Sequence, residues 1–218
     1  MNYSLDGDIA HISTDDGKAN VVNQAFVDGM LEGLEKAKAE AKAVVLSGRS
    51  GMFSAGFDLK TLQKGGDEAT NLVNGGMRIL TEIYSHPQPV IAACDGHAIG
   101  LGAFMLLASD FRIGSTSDYN ITLPETAIGM PFTPVLMALI RDRIGSNHQT
   151  AAVLQSKQHS PDDAIAAGFL DRTVEADALM AEASAFAAGV GELPGNVYGA
   201  NKVDLRSKSL AEMRASLS

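Results

Sequence analysis

The chain has 218 residues, 45% hydrophobic and 20% charged, enough to bury a core without the help of disulfides or metals. Lys and Arg number 17 against 26 Asp and Glu; the net charge of −9 argues against a nucleic-acid backbone or an anionic membrane as the main partner. A single cysteine, Cys94, excludes an internal disulfide and a cysteine-rich zinc module. The opening residues MNYSLDGDIAH carry neither a basic leader nor an apolar signal core. The longest apolar run, Ala98 to Ala108, is interrupted by Gly100 and Gly102 and is too short to cross a bilayer. The expectation is a cytoplasmic α/β domain.

Taken in order, Ile9 to Ser13 alternates as a strand does, and Asp15-Asp16-Gly17 makes a turn. Asn23 caps a helix to about Ala39, with Phe26, Val27, Met30, Leu31 and Leu34 on one face. Ala43 to Ser47 reads as a buried strand, followed by the loop GRSGMFSAGFDLK and a polar stretch from Gln63 to Thr70. A helix from Leu72 to Tyr84 stops before His86-Pro87, and Val90 to Cys94 is a second buried strand. After Gly100-Leu101-Gly102 the chain turns helical, and Phe111 to Ile113 returns to strand. Ser160-Pro161-Asp162-Asp163 has the hydroxyl cap, first-turn proline and acids of a helix start, and Gly168 closes that helix. Leu170 to Val174 reads as one more strand, Ala176 to Ala188 as a helix, and Val197 to Leu217 as a helix pair.

Two segments share one design. Val44 to Leu46 runs into Ser54-Ala55-Gly56, and Val90 to Cys94 runs into Gly100-Leu101-Gly102, each just before a helix. Small residues let a ligand approach the backbone, and N–H groups at a helix start have no intrahelical acceptor. Two such donors aimed at one point make an oxyanion hole. Tight strand-to-helix packing accounts for either glycine pattern taken alone.

Read together, FSAGFDLK, HPQPVIAACDGHAIGLGAFMLLASDFRIG and LPETAIG resemble the crotonase (enoyl-CoA hydratase/isomerase) superfamily in identity, order and separation. KANVVN and SPDDAIAAGFLDRTV extend the resemblance from about Ile9 to Val174, with a weak continuation at Asn201-Lys202. The resemblance implies an α/β fold, a spiral of ββα units with two near-perpendicular sheets and a helical C-terminal region. It divides the chain into an acyl-CoA-binding core at 1–175 and a shortened helical region at 176–218 within one functional domain. It implies coenzyme A thioester substrates with no separate cofactor, and homotrimers or dimers of trimers. By position, the backbone N–H groups of Ala55 and Leu101 match those that hold the thioester oxygen. Lys18, Ala19, Ser54, Asp58 and Leu59 lie where family members contact the nucleotide and pantetheine.

The family's hydratases use two glutamates. One survives as Glu125 in Leu123-Pro124-Glu125; the other position falls on Phe104, which has no ionisable group and is expected to line the acyl pocket. A single carboxylate suffices to move a double bond, by taking a C2 proton and returning one to C4 while the enolate is held. The expected activity is therefore an enoyl-CoA isomerase, with a hydratase and a low-turnover coenzyme A-binding protein as alternatives. Two further departures are Met130-Pro131-Phe132-Thr133 in place of a glycine-rich turn, and an end at Ser218, earlier than in most relatives. His11, His86, His97, His148 and His159 have no metal-ligand spacing, and Cys94 reads as an inert core thiol.

Overall fold

The computed structural model describes residues 1–217. The chain opens with β1 (Asn2–Asp6), β2 (Ile9–Ser13), α1 (Gln24–Glu40), β3 (Ala43–Ser47), β4 (Gly51–Ser54), α2 (Leu59–Lys64) and α3 (Gly66–Ser85). It continues through β5 (Val90–Cys94), β6 (Gly96–Ile99), α4 (Leu101–Ala108), β7 (Phe111–Ser115), β8 (Ile121–Thr122), α5 (Pro134–Arg143) and α6 (Ser146–Gln149). A π-helical turn at Thr150–Leu154 leads to α7 (Pro161–Ala167), β9 (Arg172–Val174), α8 (Leu179–Gly191), α9 (Gly195–Leu205) and α10 (Ser207–Ala215).

From β3 onward, strands are dealt alternately to two sheets. Six form one sheet in the order β1-β2-β3-β5-β7-β9; β4-β6-β8 form the other. Each turn of the chain from β3 to β8 thus gives one strand to each sheet, and the turns stack by parallel pairing: Leu46 with Ala92, Ala92 with Arg112, Ala98 with Ile121. Only β1 runs antiparallel, against β2. This is the α/β spiral of ββα units that the sequence motifs imply.

The middle of the larger sheet is covered on both faces, which is why β3 and β5 read as continuous apolar runs. Val44, Leu46, Ala92 and Cys94 face the main core with α1, α3 and α4. Their neighbours Ala43, Val45, Ile91, Ala93 and Ile113 face Leu179, Ala183 and Ala187 of α8, whose alanine stripe lies close against the sheet.

The helix starts follow local chemistry. Asn23 accepts the Phe26 N–H (2.9 Å), and Ser160 accepts the Asp163 N–H (3.3 Å). The polar stretch Gln63 to Thr70 is the end of α2 and the start of α3, which begins at Gly66 rather than at the expected Leu72. Asp58 caps α2, Gly65 and Gly66 break the chain with φ of 67° and 70°, and Asp67 and Glu68 stabilise the first turn of α3. Among the described residues no helix is long and apolar enough to cross a membrane.

Candidate active site

Because β4 and β6 pair side by side, the loops that leave them meet. Gly56, at φ 79°, has no room for a side chain: a Cβ there would stand 2.6 Å from the Ile99 carbonyl oxygen and 3.2 Å from the Leu101 nitrogen. A Cβ on Gly102 would stand 2.9 Å from Ser54 Cβ. Each glycine is required by the backbone of the opposite loop, so the packing reading and the donor reading describe one arrangement.

The donors are not distributed as expected. Ala55, matched by position to the thioester-binding residue, donates its N–H to the Ala19 carbonyl (3.0 Å), and Gly56 donates to Ser54 Oγ (3.2 Å). A short parallel bridge explains which N–H is left over. Val22 donates to the Gly56 carbonyl (2.8 Å) and accepts from the Asp58 N–H (3.0 Å), so Phe57, between them, turns its own N–H away from Val22. Among the described residues, neither the Phe57 N–H nor the Leu101 N–H at the first position of α4 has a hydrogen-bond partner. The open donors are therefore Phe57 and Leu101, not Ala55 and Leu101.

Glu125 reaches the same place from β8. Gly100 donates to the Thr122 carbonyl (3.0 Å), which lays the Leu123-Pro124-Glu125 turn against the start of α4. Met130 donates to the Glu125 carbonyl (2.8 Å) and closes the turn. The Glu125 side chain is 7% exposed, and its Oε2 has no hydrogen-bond partner among the described residues. Its Oε1 lies 3.3 Å from where a Cβ on Gly100 would stand. Burial pushes its pKa up to about 7. A cavity of about 470 Å³ is lined by Phe57, Leu101 and Glu125, with Leu62, Met77 and Leu136 among its apolar walls. Among the described residues Glu125 is the only ionisable side chain lining it. Chemically, such an arrangement can offer two N–H groups to a carbonyl oxygen in a cavity that also holds a carboxylate able to take and give a proton near neutral pH.

The other sequence candidates separate. Leu59 lines the cavity; Lys18 is exposed, and its carbonyl accepts from Arg49 Nε (2.9 Å). The Ala19 carbonyl is occupied by Ala55. Ser54 is wholly buried and donates to the Asn20 carbonyl (2.8 Å), bracing the loop from inside, while Asp58 caps α2. Phe104 does not line the cavity. The fourth residue of α4 points into the core, where its ring meets Phe132 edge-to-face at 6.2 Å and 69°. Cys94 is buried with its pKa pushed up to about 12. His97 accepts the Asn120 N–H (3.1 Å), and among the described residues no cluster of His, Cys, Asp or Glu is arranged to hold a metal ion.

Sequence reasoning missed Phe57, whose N–H is freed by a bridge to distant Val22, and the apolar walls from α2, α3 and α5. The pairs Leu59/Leu62 and Val73/Met77 have helical spacing, which marks a packed face without saying that part of it faces an opening.

A family model described as enoyl-CoA hydratase/isomerase matches residues 5–215. The structure of an enoyl-CoA hydratase from Mycobacterium ulcerans superposes with a TM-score of 0.95 at 32% identity, covering 99% of this chain and 95% of that one. A Mycobacterium tuberculosis protein, described in one structure as an enoyl-CoA isomerase and in another as a probable enoyl-CoA hydratase, gives 0.94 at 31% identity in the first of these, with 99% and 95% covered. Carnitinyl-CoA dehydratase of Salmonella enteritidis is 28% identical over 183 residues, 83% of this chain and 70% of that protein. The shortness expected against relatives thus holds for the Salmonella protein and not for the mycobacterial structures.

Proposed function

As this chain belongs to the enoyl-CoA hydratase/isomerase family, we propose that it shifts a carbon–carbon double bond in an enoyl-CoA thioester, with Glu125 as the proton shuttle. The observation that carries this reading is that, among the described residues, Glu125 is the only ionisable side chain lining a cavity that is also bordered by two residues with unpartnered N–H groups.

The thioester oxygen of a 3-enoyl-CoA accepts from the Phe57 and Leu101 N–H groups, which acidifies the C2 protons. Glu125, ionised, removes one. Negative charge moves onto the oxygen, and the electron pair is delocalised from the oxygen to C4. The protonated Glu125 then delivers its proton to C4, giving the 2-enoyl-CoA and restoring the carboxylate. A pKa of about 7 serves both halves, since the group must be a base first and an acid second. The reaction moves a proton and a double bond with no net redox change, so coenzyme A enters as part of the substrate. The apolar walls suit a hydrocarbon acyl chain. Leu59, which lines the cavity, and Lys18, exposed one residue before the Ala19 carbonyl that holds the Ala55 N–H, are assigned to the pantetheine and nucleotide portions.

Hydration is the second reading, favoured by the likeness to a hydratase and a dehydratase. It needs a water oriented by Glu125 without a second carboxylate. Separate assays with 3-enoyl-CoA and 2-enoyl-CoA, with product identification, decide between them. Faster interconversion of the two enoyl forms than hydration is the expected result. Efficient hydration with no isomerisation at any chain length would reverse the assignment, and binding of a hydrolysis-resistant acyl-CoA analogue with neither reaction would leave a coenzyme A-binding protein. Homotrimers or dimers of trimers belong to the same proposal. The apolar side chains exposed on and beside α9, Leu193, Val197 and Leu205, are the surface they would cover, and light scattering on the eluted protein tests it.

A further inference from the structure

Building on the oxyanion reading above, we propose that Gly76 is a positioning residue that sets the two thioester donors beside each other. It lies in the middle of α3, remote in sequence from both loops. Glycine inside a helix is less favourable than alanine, yet α3 carries two in succession, Gly75 and Gly76.

Each is accounted for by what faces it. A Cβ on Gly75 would stand 2.8 Å from Val27 Cγ1, so this glycine lets α1 approach α3. A Cβ on Gly76 would overlap the Phe57 ring at Cζ, stand 2.6 Å from its Cε1, and stand 2.9 Å from Leu101 Cδ2. The two side chains that converge on this point belong to the two residues whose N–H groups are unpartnered and border the cavity. They come from separate loops, one after β4 and one after β6. The bare face of α3 is their common seat.

Gly56 allows the two loop backbones to approach, and Gly76 allows the two side chains to settle once they have done so. A methyl group at position 76 overlaps the Phe57 ring where it now lies, so the ring has to shift toward the cavity. Phe57 sits between Gly56, at φ 79°, and Asp58, which is fixed as the cap of α2, so displacing the ring turns the Phe57 peptide relative to Leu101. An oxyanion hole depends on donor position more steeply than a packed core does, so the effect falls on turnover before affinity.

The test compares Gly76→Ala, Gly75→Ala, Phe57→Ala and the double variant Gly76→Ala/Phe57→Ala. The readouts are kcat and KM on a 3-enoyl-CoA, and the absorption of bound 2,4-hexadienoyl-CoA, which moves to longer wavelength when its carbonyl is polarised. Gly76→Ala is expected to lower kcat by roughly tenfold to a hundredfold and to lose most of that shift. Its KM should stay within about threefold of wild type. Gly75→Ala disturbs the same helix against Val27 instead, and should keep kcat and the spectral shift within about threefold. In the Phe57→Ala background, adding Gly76→Ala should cost less than about threefold in kcat, because the ring it would strike is gone.

A folded Gly76→Ala protein with wild-type kcat and spectral shift overturns the inference. So does an equal loss in Gly75→Ala, or an undiminished loss in the Phe57→Ala background. If Gly76→Ala alone does not fold, the double variant decides: a folded double variant supports the inference, and an unfolded one overturns it. A wild-type protein that neither turns over the 3-enoyl thioester nor shifts the dienoyl spectrum removes the functional reading, and this inference with it.

Discussion

Glu125 is a carboxylate held where ionisation is costly, and its predicted behaviour follows from that cost. Replacement by Gln keeps the size and removes the proposed base, so turnover should fall by roughly two to four orders of magnitude with little change in substrate binding; steady-state kinetics and titration with an acyl-CoA analogue check this. In the wild type, burial raises the pKa from 4.5 to about 7. The base must be ionised to act on free substrate, so kcat/KM should rise about tenfold per pH unit below 7 and level off above it. Stability moves the opposite way. The folded protein holds this proton more tightly than the unfolded chain, so stability is lost as pH rises from 4.5 through about 7. The full loss is about 3 kcal/mol. Glu125→Gln should therefore gain stability relative to wild type between about pH 5 and pH 8, read from denaturant midpoints; a constant difference would mean that the carboxylate ionises without penalty.

At the scale of an element, α4 does two jobs. All eight of its residues are buried, and its first, Leu101, also borders the cavity with an N–H that has no partner among the described residues. Proline is well tolerated at the first position of a helix but has no N–H. Leu101→Pro should therefore leave a folded protein whose kcat is down by roughly a hundredfold to a thousandfold, the cost of one oxyanion donor. Circular dichroism separates this from unfolding. Elements were legible in the sequence to different degrees for physical reasons. Strands β3 and β5 are buried on both faces and stand out as apolar runs, and α1 carries its cap and its stripe. Strand β4, in GMFS, and β8, only two residues long, are too short for any period to show. The α2–α3 boundary was hidden because polar residues cover an exposed pair of helix ends, although Gly65-Gly66 followed by Asp67 and Glu68 carries the signal of a break and a fresh start.

Across the whole molecule, the C-terminal helices are tied to the core through buried charge. Asp110, just after α4, accepts from Lys202 Nζ (2.6 Å), Arg206 Nη2 (2.7 Å) and the Val90 N–H (2.7 Å). Lys202 also donates to the His86 and Gln88 carbonyls, and Arg206 to the Tyr84 carbonyl. Side chains of Lys202 and Arg206 are 4% and 8% exposed, so their charges depend on this one carboxylate and on carbonyls. Asp110→Ala should destabilise the protein by about 3–5 kcal/mol, because it leaves two buried cations without their counterion. Urea denaturation measures this. The kcat of the protein that remains folded should change little, since none of these groups lines the cavity that holds Glu125.

The sequence by itself determined the buried strands, the two small-residue loops Ser54-Ala55-Gly56 and Gly100-Leu101-Gly102, and the Pro124-Glu125 carboxylate, because each is written in local residues; the spiral that joins them was implied by the resemblance of those motifs, in their order, to the family. It also marked Phe104 as a position without charge. Only the tertiary structure decided which donors stay open and where that phenyl ring goes. Ala55 loses its N–H to Ala19, thirty-six positions earlier, and Phe57 keeps its own because Val22 bonds its neighbours instead. Phe104 turns toward Phe132 and leaves the cavity walls to α2, α3 and α5. Hydrogen-bond satisfaction and side-chain direction are settled by partners distant in the chain, so no local pattern can carry them.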